Sequence, residues 1–189
     1  MNKIVTLTIV FFLLVSIKGQ DKLFNKKTYN QDIEKLETLV CRKLDSLRLH
    51  KKRAILIEDA ALKTSAKNHL LWVSRTGKVV HFEDVKDTKT PIKRARKAGY
   101  KEKLIGENLA NTYYNKEQKT EKGAIYMNVT LEDIASDLVN NIWRHSKGHY
   151  KNIIGKEFKD HGVAIVVDTK LQKVYAMEVL GGVVIRKKH

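Results

Sequence analysis

Cysteine is almost absent: Cys41 is the only one. No internal disulfide can form, so the fold must be held by its core. Cys41 sits in "LETLVCRKL", on an apolar helical face, and nothing around it suggests a lowered thiol pKa. It reads as a small buried hydrophobe, not a nucleophile. Long apolar runs are scarce as well. The one that stands out, Ile4 to Ile17, follows a short basic start at Lys3. It is shorter than the roughly 20 residues a spanning helix needs, so a secretory leader over residues 1–19 is the expectation, with an uncleaved N-terminal anchor as the other reading. No cysteine follows the run to carry a lipid. No later segment is apolar and long enough to cross a membrane, so the mature chain is expected secreted or periplasmic and monomeric.

Catalytic signatures are missing. There is no G-x-S-x-G, no H-E-x-x-H and no Gly-rich phosphate loop. Acids are outnumbered, with 21 Asp and Glu against 37 Lys and Arg, a formal charge of +16. Losing Lys3 and Lys18 with the leader leaves +14. Such a balance favours anionic surfaces: acidic lipid headgroups, envelope polymers or nucleic acid. The lysines are spread along the chain, which also fits a solvated surface. The dense stretch "IKRARKAGYKEK" carries one aromatic and no nucleic-acid motif, which disfavours nucleic acid as partner.

What is present is one ordinary domain of 189 residues without repeats or low-complexity tracts. Residues 20–30 read as a polar, frayed or extended lead-in to a domain over 31–189. Apolar residues at Ile33, Leu36, Leu39, Val40, Leu44 and Leu47 predict a helix over 31–47. Ile55 and Ile57 suggest a short extended entry. A second helix, about 58–75, has the stripe Ala61, Leu62, Ser65, Ala66, His69, Leu70 and Val73, and Gly77 ends it. Its small residues predict close packing, and its His69 reads as a satisfied core histidine. Thr90 and Pro91 cap and start a third helix that ends at Gly99. "LIGENLANTYY" reads as extended, and 115–128 as a mobile exposed loop bordering the functional cleft. "TLEDIASDLVNNIWRH" predicts a long helix with a Thr130–Asp133 capping pair. Ser146 caps a short helix after it. "HGVAIVVDT" and "KVYAMEVLGGVVI" form a closing hairpin. Helices first and strands last point to an α+β fold with a sheet between helices. Trp72 and Trp143 read as core anchors.

Glu107, in "IGENLAN", raises the functional question, because a buried carboxylate is costly unless paired. His81 and His149 are its candidate partners. The pieces "AALKTSAKNHLLW", "VVHFED", "TPIKRARKAGY", "GENLAN", "IWRHSKGHYKNII" and "HGVAIVV", in this order, resemble the CAP superfamily (SCP/PR-1-like domain) in its bacterial exported form, over roughly residues 36–182. The resemblance implies a three-layer α-β-α sandwich with a central cleft. It implies a metal-capable His/Glu cluster there: His81, Glu107 and His149, with Ser146 where a second Glu would stand.

Imidazole and carboxylate suit zinc, and two His with one Glu leave a fourth position open. His149 would be the third residue of the helix capped by Ser146, where the dipole keeps it neutral. The same residues could equally form a hydrogen-bonded brace without metal. His145 and His149 are four apart, but Ser146 and Gly148 break the helix between them. His50, His161 and His189 show no partner pattern. Two functions follow. One is non-catalytic binding of a lipid, envelope component or other partner. The alternative is a metal-assisted hydrolase acting on peptide or ester, with Glu107 as candidate catalytic base.

Overall fold

The computed structural model describes residues 22–120 and 122–183. The leader expected over 1–19, and His189, lie outside them. Helix α1 (Tyr29–His50) buries Ile33, Leu36, Val40 and Leu44 at three- and four-residue spacing. Strand β1 (Ile57–Glu58) leads into α2 (Ala60–Thr76), which starts at Asp59, whose side chain accepts from the Leu62 N–H, and stops at Gly77 with φ 71°. Helix α3 (Pro91–Lys97) has Thr90 as cap and Pro91 in its first turn. Then come β2 (Leu104–Tyr113), a small hairpin β3 (Glu117–Lys119) and β4 (Ile125–Met127), α4 (Leu131–Ser136), α5 (Lys147–Ile153), β5 (Phe158–Asp168) and β6 (Lys173–Gly182).

The main sheet has the order β1-β5-β6-β2. β5 and β6 form the closing antiparallel hairpin, β2 runs antiparallel to β6 with Glu107 opposite Val179, and β1 joins β5 in parallel. Both sheet faces are covered. Val163, Ile165, Val174 and Ala176 pack with α1, α4 and Trp143; Ala164, Val166, Tyr175 and Met177 pack with α2 and Ala95 of α3. That is the α-β-α sandwich expected. Gly162 sets the spacing on the α2 side, because a Cβ there would lie 2.1 Å from the Lys63 backbone nitrogen. β1 pairs only with the start of β5, so the rest of that edge needs other partners. Helix side chains supply them: Glu37 accepts from the Ile165 N–H at 3.1 Å, Lys67 donates to the Ile165 carbonyl and Tyr29 to the Val167 carbonyl, both at 3.1 Å.

Three expectations are corrected. The lead-in is docked: Phe24 is buried against Tyr114, and buried Asp32 accepts from the Phe24 N–H and the Thr28 hydroxyl. The long helix after Thr130 is α-helical only to Ser136, with the capping box in place. Asp137–Trp143 is a π-helical continuation that closes with Arg144 N–H bonding the Val139 carbonyl. The segment 115–128 is neither structureless nor at Glu107. Its β3–β4 hairpin is pinned by buried Asp137, which accepts from Thr112 at 2.5 Å, Asn128 at 3.2 Å and Tyr126 at 3.3 Å. Thr112 is five residues along β2 from Glu107, roughly 16 Å away.

Asp137→Ala strands several buried donors at once, so unfolding in urea should show a loss of about 2–4 kcal/mol. An unchanged midpoint would mean the hairpin is not held there. Gly162→Val should cost about 3 kcal/mol or more, because α2 has to move off the sheet. Wild-type stability in that variant would contradict the close approach.

Candidate functional site

The site lies over β2, an edge strand flanked by α3 and by α5. Glu107 is buried on it, at 7% exposure. Its principal partner is Arg94, a residue that the reading of the sequence did not single out. Arg94 Nη2 donates to Oε1 at 2.8 Å and Oε2 at 2.9 Å. The same nitrogen donates to the His81 carbonyl at 2.9 Å, and Nη1 donates to the Thr88 carbonyl at 3.0 Å. Thr90 and Pro91 fix where α3 begins and so where Arg94 points, with Ala95 packed beside it in the core. Arg94 is itself 3% exposed, so both charges of this pair are out of water. Such a pair holds together because breaking either half leaves a buried charge alone.

His81 joins from the loop after α2. Its Nδ1 lies 3.2 Å from Glu107 Oε2, and because a carboxylate only accepts, Nδ1 donates. The ring is 41% exposed and turns its other nitrogen away from the carboxylate. The loop that carries His81 is held by a second buried cluster. His69 Nδ1 lies 2.7 Å from Glu83 Oε1 and Nε2 donates to the Val80 carbonyl at 2.9 Å. Thr88 donates to the other Glu83 oxygen. His69 is the satisfied core histidine expected, and Trp72 stacks on it at 5.6 Å. Trp143 is a fully buried anchor as expected, but Trp72 is only half-buried and lines a hollow of about 570 Å³ between α2 and α3, with Arg94 and Glu83 on its wall. The His81, Glu107 and His149 side chains do not line that hollow.

His149 arrives from the other side. Ser146 caps α5 by accepting from the His149 N–H at 3.5 Å. Asn152, three residues on, donates to the Glu107 carbonyl at 3.1 Å and to Asn108 Oδ1 at 3.0 Å, which docks α5 on β2. His149 makes no hydrogen bond to Glu107 among the described residues. Its Nδ1 is buried and without a hydrogen-bond partner among the described residues. Burial, and then the charge of nearby His81, pushes His149 below its ordinary value of 6.5, so the ring is neutral around pH 7. His145 diverges, as expected: it is exposed and bonds back to the Asn141 carbonyl. The structure therefore brings His81 and Glu107 into contact and places His149 near His81, with Ser146 acting as a helix cap.

A second buried pair went unread in the sequence. His161 Nδ1 lies 3.1 Å from Glu178 Oε1, and Asn108 donates to Glu178 Oε2 at 2.8 Å. All three side chains are buried on the α1 side of the sheet. Alternation on β2 and β6 could have paired Asn108 with Glu178, which are opposite in register, but nothing local points to His161.

As arranged, both oxygens of Glu107 face the Arg94 guanidinium, whose positive charge disfavours a second cation beside them. Among the described residues, no group of three or more His, Cys, Asp or Glu gathers to hold a metal ion. Cys41 is no candidate either: burial above all pushes its thiol up to about 12.

The fold has clear relatives. An outer surface protein of Borrelia burgdorferi superposes with a TM-score of 0.62 at 17% identity, over 80% of this chain and 95% of that one. An extracellular SCP-domain protein of Bacillus anthracis gives 0.55 at 16% identity, covering 82% of this chain. A cysteine-rich secretory protein of Staphylococcus aureus gives 0.50 at 14%, covering 79%. This chain spans only 42% and 39% of the latter two. No curated protein matches it in sequence. The profile of the cysteine-rich secretory protein family, CAP, matches residues 42–180, from the C-terminal part of α1 through α2 to α5 and nearly all of the sheet, including Arg94, His81, Glu107 and His149. The chain belongs to the CAP family.

Proposed function

We propose that the protein is an exported binding protein that uses the surface formed by His81 and His149 to hold a partner without turning it over. The observation that carries this reading is the Arg94–Glu107 pair. A general base needs a lone pair that water or substrate can reach. Glu107 is buried, and its oxygens are hydrogen-bonded to Arg94 and His81, which lowers both their basicity and their reach to a substrate. In this reading the guanidinium stands where a metal would stand in a hydrolase, and it neutralises the carboxylate permanently. What remains for a partner is the half-exposed imidazole of His81 and, beside it, the neutral imidazole of His149, with the His81 loop fixed by Arg94 and α5 docked by Asn152. These groups donate and accept hydrogen bonds, which suits recognition of a polar headgroup or a peptide backbone. The leader-like start supports export, and the basic balance favours an anionic envelope or lipid as the setting.

The competing hydrolase reading draws on the same two imidazoles, which could take a metal if Glu107 were released. Titration calorimetry with zinc chloride separates the two. No saturable zinc site is expected, nor any turnover of peptide or ester substrates. One equivalent of zinc, lost in Glu107→Ala and His149→Ala and accompanied by chelator-sensitive hydrolysis, would replace binding with catalysis.

The ion pair should behave as a unit. Arg94→Met leaves Glu107 buried and uncompensated, so it should cost about 3–5 kcal/mol. Adding Glu107→Leu to Arg94→Met should restore much of that loss. If the double variant is as unstable as both single losses summed, the two side chains are not coupled.

His149 sets a pH dependence. The unfolded chain protonates this ring near its ordinary value, whereas the folded protein resists the proton, so the unfolded state binds more protons as pH falls. His149 therefore costs nothing above about pH 7 and lowers stability progressively from there toward pH 5. His149→Gln should flatten this part of the stability profile. A variant with the same acid slope as wild type would show that His149 is free to charge in the fold.

A further inference from the structure

The end of the molecule opposite the β3–β4 hairpin carries a surface that the site above does not use. A cleft of about 570 Å³ lies between the C-terminal end of α1, the segment entering β1 and the start of β5. Five of its nine lining residues are cations, Arg48, Lys52, Arg53, Lys156 and Lys159, and none is acidic. Glu58 and Glu157 adjoin it in sequence but do not line it. No ion pair among the described residues uses any of the five.

The cations divide in role. Arg48 is 3% exposed and binds the carbonyls of Ala54, Ile153 and Gly155, so it builds the floor. Arg53 donates from Nε to the Ile154 carbonyl and keeps its terminal nitrogens free of partners among the described residues. Lys52, Lys156 and Lys159 are exposed. Lys52 holds φ 54°, a conformation that favours glycine or asparagine, at the tight turn leaving α1.

The same cleft is lined by Ile55 and Ile57, which are 53% and 70% exposed. Leu56 between them is buried with Phe158 and Leu180, and both isoleucines face out. Two outward isoleucines, one before and one at the start of an edge strand, beside lysines that form no ion pair among the described residues, are poorly explained by folding, because neither contributes to the core.

We propose that this surface docks on an anionic lipid membrane, with the lysines and Arg53 on the headgroups and Ile55 and Ile57 entering the interface. Charge complementarity selects an anionic partner, and the exposed β-branched pair selects a lipid surface over a soluble polyanion, which has no apolar layer to receive it. The proposal is independent of the Glu107 site. It needs neither His81 nor His149, and its failure would leave the cleft reading untouched.

The test is co-sedimentation of the full chain from Gln20 with vesicles of phosphatidylcholine alone, or mixed with phosphatidylglycerol. Binding is expected only to the mixed vesicles and should fall with salt. The triple change Lys52→Glu, Lys156→Glu and Lys159→Glu should weaken it at least about tenfold. A control triple with the same net charge, Lys26→Glu, Lys35→Glu and Lys86→Glu, should weaken it far less. Ile55→Ser with Ile57→Ser should also weaken vesicle binding while leaving the net charge unchanged. Circular dichroism checks that each variant folds, and glutamine at the same three lysines replaces glutamate if the first triple does not. Equal loss in the control triple would overturn the proposal, because overall charge alone would then account for binding. Binding to soluble polyphosphate that survives both serine changes, with no preference for vesicles, would overturn it in favour of a polyanion groove. So would absence of binding to the mixed vesicles at low salt.

Discussion

The contact between Arg94 and Glu107 is the one on which the site depends. Removing two charges from water is unfavourable unless each supplies what water supplied to the other. The guanidinium meets that demand geometrically: one terminal nitrogen faces the carboxylate, and the same edge of the group holds the His81 and Thr88 carbonyls. A single side chain thus fixes the strand residue, the loop carrying the imidazole and the start of its own helix. Lysine could not do this, because its point charge lacks a planar fork to hold three elements at set angles. The chemistry of the site and the docking of α3 are therefore one physical fact.

The same requirement recurs through the molecule. Buried Glu83 is met by His69 and Thr88, Asp137 by Thr112, Asn128 and Asn141, and Glu178 by Asn108 and His161. Glu37 is met by Lys63 and by a strand N–H. All but the Glu83 cluster join elements distant in sequence, and each is directional where hydrophobic packing is not. Through Asn152, Asn108 links the Glu178 pair to α5. The position of α5, and of His149 with it, is thus tied to the polar cluster on the α1 side of the sheet. In a chain with one cysteine, these paired carboxylates do the registering that cross-links do in disulfide-rich domains.

Much of this fold is legible in the sequence, because periodicity and punctuation are local signals. The stripe of α1, Gly77 behind α2, Thr90–Pro91 before α3 and the closing β-branched runs are all where their patterns place them. Glu107 could be flagged because an acid among Ile105, Leu109 and Ala110 has to have a partner. The partner's identity was not legible. Arg94 sits in a run where four of six residues are basic, and nothing in "IKRARK" says which cation turns inward; the sheet alone decides that. His161 escaped for the same reason, since its partner Glu178 comes from the other arm of the hairpin. The π-helical segment has no composition of its own. The hairpin at 117–127 was hidden because its strands are three residues each and half exposed, so no alternation could show.

Scarcity of acid and the basic surface are connected through the core. Among the described residues, six carboxylates are buried, Asp32, Glu37, Glu83, Glu107, Asp137 and Glu178, while only Arg48 and Arg94 are buried among the Lys and Arg cations. The interior therefore uses acids faster than bases, and the acids it uses are not available as short-range partners for surface lysines. A chain that already has fewer acids than bases is left with outer regions where cations outnumber acids. Arg48 shows the consequence: among the described residues it hydrogen-bonds backbone carbonyls and no carboxylate, beneath Lys52, Arg53, Lys156 and Lys159. Burial lowers its hold on its proton, opposed by Glu178, with Arg53 adding to the lowering and Asp45 and Glu157 opposing it. An anion arriving at that cleft would relieve a repulsion that the fold itself creates. The arrangement that gives each buried acid a partner also leaves the outer cations seeking one.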